Sequence, residues 1–232
     1  MVMLVPERLD FKAFEKKIDK EGLVWEMKED FAKALVAYDR LLKEVGAFPP
    51  SGVKDAVVAY LLLRKGGVLL QTGKLTEGEK LMREALALAE RSEYGVMLGR
   101  AKLGLGVLCA SLSRFEEGER LLTETFLLFS KGEDYDSKQG AGWSLLNLGG
   151  LYGKQEKWYE AEQRLDKAVE VLSGIKNWVG VASAYELKAK NSLKKGEPVR
   201  AKEYYAKAVE FYEKQGMKEK ADAIRKELKK TR

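Results

Sequence analysis

The stretch LGGLYGKQEKWYEAE, residues 148–162, can be read as a glycine loop around a phosphate or as two helices meeting at a turn. A nucleotide loop of the Walker type needs G-x-x-x-x-G-K followed by Ser or Thr, so that backbone amides and a magnesium-binding hydroxyl converge on the phosphates. Here Leu148 stands five residues before Gly153, and Gln155 follows Lys154. Both requirements fail. The helical reading accounts for the same residues, because the segment after Lys157 is one period of a pattern that recurs along the chain.

From Trp158 onward, Trp158, Ala161, Leu165, Ala168 and Leu172 fall at offsets 0, 3, 7, 10 and 14, one stripe of an α-helix. The stripe returns as Phe31/Ala34/Tyr38/Leu41/Val45, Leu75/Gly78/Met82/Ala85/Ala89, Phe115/Gly118/Leu122/Thr125/Phe129 and Pro198/Ala201/Tyr205/Ala208/Tyr212. The order of sizes is large, small, large, small, large, with Leu41 and Ala89 as the exceptions. Small residues let a neighbouring helix come close, and the large ones fill the groove beside it. Nine residues before each stripe lies another small residue, Gly22, Gly66, Gly106, Gly149 and Ala189, at spacings of 44, 40, 43 and 40 residues. Gly149 is therefore a helix-crossing residue.

These residues resemble the tetratricopeptide repeat, a helix-turn-helix unit with small residues at its eighth, twentieth and twenty-seventh positions and an apolar or aromatic one at its eleventh. Leu148, Gly149, Tyr152, Ala161 and Ala168 are in that register. The resemblance implies an all-α, right-handed α-solenoid of five repeats, approximately 15–48, 56–92, 96–131, 138–174 and 178–214, in a single domain spanning 1–232. A polar capping helix over 217–230 completes it, with Ala221, Ile224 and Leu228 as its narrow stripe. The period exceeds the usual one of about 34 residues, as in motor-protein light chains and peptide-sensing bacterial regulators. The end units depart from the pattern: Pro198 takes an aromatic position, and Glu21 and Lys188 replace a leucine. The segment GAFPPSG at 46–52 ends the first unit.

Composition removes several function classes. The chain has 232 residues, no histidine and one cysteine, Cys109, so an internal disulfide, a cysteine zinc site and the Ser-His and Cys-His pairs are excluded. Cys109 falls at an inward-facing repeat position and reads as a buried thiol. The longest apolar run, AVVAYLLL at 56–63, is far short of the roughly 20 residues that span a bilayer, and no secretory signal is visible, so a cytoplasmic protein without a membrane anchor is expected. Few Asn and Gln beside many Lys and Glu point toward a thermophile. Of the net charge of +6, residues 214–232 carry +5, from eight Lys/Arg against three Asp/Glu. The nearly neutral body argues against nucleic acid, which remains the alternative partner through basic and aromatic residues. No enzyme, cofactor or metal site is expected.

By the resemblance, the first helix of each repeat lines a groove for extended segments. Its groove positions are Tyr60, Arg64, Gln71, Arg100, Trp143, Asn147, Lys154, Glu186, Lys190 and Lys194. This set is mainly basic with an aromatic anchor, so the expected partner is an acidic protein or peptide segment, bound by a scaffold or by a peptide-sensing regulator. The carboxylate-clamp variant of the family would place other residues where Asp19, Leu23, Leu63 and Gly67 stand. In FLLF at 126–129, Leu127 lies off the core stripe and marks a possible homodimer face.

Overall fold

Most turns of the chain close in the same way. In the computed structural model, which describes residues 8–230, the loop residue two before each following helix takes a left-handed backbone at Glu29, Gly73, Glu93, Ser113, Glu156, Lys176, Gly196 and Gly216, with φ from 57° to 82°. At most of these turns the next amide reaches five residues back: Lys157 N donates to Tyr152 O at 3.0 Å, Lys74 N to Leu69 O at 2.9 Å, and Asn177 N to Leu172 O at 2.8 Å. This is the Schellman closure, which satisfies carbonyls left open at a helix end. It requires one left-handed residue and no particular side chain.

Twelve α-helices form among the described residues: α1 (Phe11–Ile18), α2 (Val24–Met27), α3 (Phe31–Gly46), α4 (Gly52–Gln71), α5 (Leu75–Ser92), α6 (Gly95–Ser111), α7 (Phe115–Phe129), α8 (Tyr135–Lys154), α9 (Trp158–Gly174), α10 (Trp178–Lys194), α11 (Pro198–Lys214) and α12 (Lys218–Lys230). The chain is all-α and built of helix-turn-helix repeats. It divides into two compact units, Met1–Leu108 and Cys109–Arg232, with the boundary inside α6.

In the first unit α1 and α2 are joined by a π-helical turn, Asp19–Leu23, so one bent element pairs with α3. Gly22 lies in that turn, where a Cβ would stand 2.2 Å from Tyr38 Cε1. Phe11, Phe14, Ile18, Tyr38, Leu41, Leu61 and Met97 share one buried cluster. Between α3 and α4, Ser51 caps α4, its Oγ accepting from Lys54 N at 3.1 Å.

In the second unit Leu145, Leu165, Leu172 and Val181 form one fully buried cluster, and Tyr205, Tyr212, Ala221 and Ile224 another. Each large apolar side chain so buried contributes roughly 1.5–3 kcal/mol. A Cβ on Gly149 would lie 2.5 Å from Leu165 Cγ, so the residue from the opening stretch is a contact surface for α9. Asp134 caps α8 through Ser137 N and Oγ, at 3.0 and 2.6 Å, and those hydrogen bonds hold its carboxyl below the ordinary range.

The departures from the repeat pattern have local reasons. Pro198 opens α11, where a missing amide proton is harmless. Lys188 is buried at 5% exposure, its ammonium pairing with Asp166 and, at 3.1 Å, with Glu162, over the Tyr204 ring at 4.6 Å. Glu21 pairs with Arg40. The longer periods come from helices that begin earlier than the sequence pattern shows, residue 52 rather than 56 and 135 rather than 138, after five-residue loops at 47–51 and 130–134. Cys109 is buried, and α12 presents Ala221, Ile224 and Leu228 to the second unit's core.

Candidate partner-binding faces

In the first unit the candidate residues meet carboxylates of the same chain. Arg64, on α4, makes a two-pronged contact to Glu26 of α2, Nε to Oε1 at 3.1 Å and a terminal nitrogen to Oε2 at 2.5 Å. The hydroxyl of the fully buried Tyr38 also donates to Glu26. Tyr60 donates to Asp19 Oδ1 at 3.2 Å, and burial, with the Asp19 charge adding to it, pushes its phenol up to about 12. Arg100, on α6, pairs with Glu15 of α1, 85 residues away, and lies over the Tyr60 ring at 5.3 Å. Gln71 is exposed at the end of α4.

The acidic partners Glu15, Asp19 and Glu26 are absent from the sequence-derived set, although they carried a signal. In the repeat register they fall at the first, fifth and twelfth positions of the first unit, beside the positions that gave Tyr60 and Arg64. The π-helical turn sits among them.

The second unit differs. Trp143, on α8, is half-buried against the cluster of Leu145, Leu165 and Leu172. Asn147 turns its amide back on the helix, Nδ2 donating to Trp143 O at 2.8 Å. Helix α10 packs along the C-terminal half of α8 because Gly150 and Gly153 leave room: added Cβ atoms there would meet Leu187 at 3.4 Å and Asn191 at 2.3 Å. That brings Lys154 of α8 to the face that carries Glu186, Lys190 and Lys194 of α10. Lys154 Nζ donates to Ala110 O at 3.1 Å, and Lys190 pairs with Glu186 at 2.5 Å. Glu186 also accepts from Tyr212 at 3.0 Å, and burial, with that carboxylate adding to it, pushes the Tyr212 phenol up to about 12. Lys154, Lys190 and Lys194 are exposed. Of the three lysines, Lys190 meets a glutamate that Tyr212 also engages, and Lys154 and Lys194 add exposed positive charge.

Among the described residues no group of three or more His, Cys, Asp or Glu side chains could hold a metal ion, and no helix is long and apolar enough to cross a membrane.

Residues 141–214 match the family model of the tetratricopeptide repeat. No curated protein matches the sequence. Among solved structures, BtubC from P. vanneervenii is 15% identical with a TM-score of 0.68, covering 89% of this chain and 82% of that one. The apo form of RapI is 11% identical at a TM-score of 0.64, covering 98% and 86%. A plasmid's Rap conjugation gene regulator, solved in complex with a Phr peptide, is 12% identical at 0.65, and the likeness covers 96% of this chain but 61% of that one. At these identities the likeness is one of fold.

Proposed function

We propose that this chain of tetratricopeptide repeats is a non-enzymatic interaction scaffold that holds an acidic segment of a partner protein on the α8–α10 face of its second unit. The observation that carries this reading is the surplus of exposed positive charge there: Lys154, Lys190 and Lys194 against Glu186, with the half-buried ring of Trp143 on the same helix as Lys154. Lysines attract a carboxylate-rich segment and select it by charge, while the indole supplies a desolvated contact that lowers its off-rate. The helix pairing that brings α8 against α10 makes the face a rigid one, so little ordering is required of the scaffold on binding. The Rap regulator solved with a peptide supports the same general use of this fold.

The test is titration of a labelled glutamate-rich peptide into the full chain and into a variant carrying Lys154→Glu, Lys190→Glu and Lys194→Glu. The expected loss is at least about tenfold in Kd for the triple variant, with a further loss for Trp143→Ala. Equal binding by all three proteins overturns the reading. Nucleic acid is the competing ligand; it requires affinity for a single-stranded oligonucleotide that falls steeply with salt and depends on the α12 lysines. Around the scaffold reading we place a cytoplasmic protein of a thermophile, with self-association through α7, where Leu127 is 59% exposed. A mass that stays monomeric as concentration rises removes that last element alone.

A further inference from the structure

We infer that the Arg100–Tyr60–Tyr94 face of the first unit is an interaction surface for an amphipathic helix that presents a carboxylate four residues after an aromatic ring, and that α1 is the chain's own occupant of it. This deepens the scaffold reading and rests on its premise that the chain recognises carboxylates.

Three contacts define the surface, two from α1 and one from the first residue of the π-helical turn after it. Glu15 pairs with Arg100, Asp19 accepts from Tyr60 at 3.2 Å, and the Phe11 ring stands 5.4 Å from the Tyr94 ring at 41°. Phe11 and Glu15 are four residues apart, on one side of α1, so a single helix face delivers both the aromatic ring and the carboxylate. Their targets are Arg100 of α6 and Tyr94 in the turn just before it, whereas the bent element that carries α1 pairs with α3 and next meets α4. Helix α1 therefore reaches past its neighbour to a surface that its own repeat has no need to cover. Phe11, Phe14 and Ile18 anchor it at 7%, 6% and 0% exposure.

The occupant can be exchanged at its edge. Arg100 and Glu15 retain 30% and 13% of their side-chain exposure, so water and a competing carboxylate reach the pair. The π-helical turn Asp19–Leu23 separates α1 from α2, and the Glu26–Arg64 contact holds α2 independently of α1. A partner helix with an aromatic residue four positions before a carboxylate reproduces what α1 supplies. Such a partner competes with α1, and the chain admits it in proportion to how weakly α1 is held.

The experiment uses the full chain, its Glu15→Gln variant and a fluorescent peptide with the sequence of residues 8–18. Glutamine keeps the size of the side chain and leaves Phe11, Phe14 and Ile18 in place, so the fold is preserved. The Glu15→Gln chain is expected to bind the peptide at least tenfold more tightly than the unaltered chain. Adding Arg100→Gln removes that gain, and a peptide with Gln at the position of Glu15 binds at least tenfold more weakly. Backbone amides of α1 exchange with deuterium about tenfold faster in Glu15→Gln, while those of α4 do not change. Failure of the peptide to bind Glu15→Gln, binding that persists through Arg100→Gln, or unaltered exchange in α1 each overturns the inference. The α8–α10 lysines play no part in this measurement, so it fails or succeeds independently of the Lys154, Lys190 and Lys194 titration.

Discussion

On α4 and α6, arginines at the groove positions meet carboxylates from α1 and α2. On α8 and α10, lysines at other groove positions of later repeats are exposed, with Lys190 paired to Glu186 and Lys154 bonded to a backbone carbonyl. The repeat register assigns both sets to one category. What separates them is the neighbour: the first unit sets the carboxylates of Glu15 on α1 and Glu26 on α2 against its arginines, and the second has Gly150 and Gly153 drawing α10 against α8. Guanidinium suits the first role because its planar fork matches a carboxylate in two places, as Arg64 does on Glu26. Ammonium suits the second because it is a compact, strongly hydrated charge on a flexible stem.

The sharpest way to break this contrast is to delete one partner from each face. Glu26→Ala strands a largely buried Arg64 and removes the acceptor of Tyr38, and should lower stability by about 3 kcal/mol. Lys190→Ala should change it by less than about 0.5 kcal/mol, since an exposed pair within one helix contributes little. Urea unfolding of both variants decides the matter; similar losses would mean that the two faces are alike.

Next in size are Gly22→Val and Gly149→Val, which test whether the units share one crossing geometry beneath their different charges. Each forces a side chain into Tyr38 or Leu165 and should cost about 2 kcal/mol, within the range for overpacked cores. A neutral result in one unit only would show a looser crossing there. A gain is expected from Glu156→Gly, because a non-glycine residue in the left-handed region loses roughly 1 kcal/mol. The midpoint of thermal unfolding should rise by about 2–4 °C.

Smaller still is Lys188→Leu, which places there the leucine that Leu105 and Leu148 supply at the same repeat position. Glu162 keeps Arg200 at 3.0 Å and the Tyr204 hydroxyl at 2.9 Å, and Asp166 is largely exposed, so no charge is stranded. The change should stay within about 1 kcal/mol. Last, each unit holds one phenol raised from 10.0 to about 12, Tyr60 and Tyr212. Between those values the folded chain keeps protons that the unfolded chain has released, so stability is intact below pH 10 and falls as pH climbs toward 12. Absorbance at alkaline pH should show both phenols ionising late, and Tyr60→Phe and Tyr212→Phe should each flatten the decline.

Most of the architecture was legible because it is periodic. Small residues at Gly22, Gly66 and Gly149, the alternating stripe of Trp158 to Leu172, and the capping stripe of Ala221 and Ile224 are local patterns, and each reports a helix face. The extra turns at the starts of α4 and α8 were hidden by Gly52 and by the polar run at 135–138, which carry no apolar stripe. The pairing of Glu15 with Arg100 was not legible, because it spans two repeats and depends on how α1 leans across the helix between them. Lys188 was visible as an exception, but its partners sit on the preceding repeat, at a distance set by packing.

The shared turn also bears on how such a chain changes length. Because its closure is made of backbone atoms and a single left-handed residue, filled here by Gly, Glu, Ser or Lys, it places almost no demand on the helices it joins. A hairpin copied whole would bring its own joint and find the same joint waiting at either end. Duplication of such a segment inserts no broken hydrogen bond, so a chain of this kind can lengthen or shorten by complete hairpins during evolution. The loops at 47–51 and 130–134, which lie outside that scheme, are where such a lineage would leave its seams.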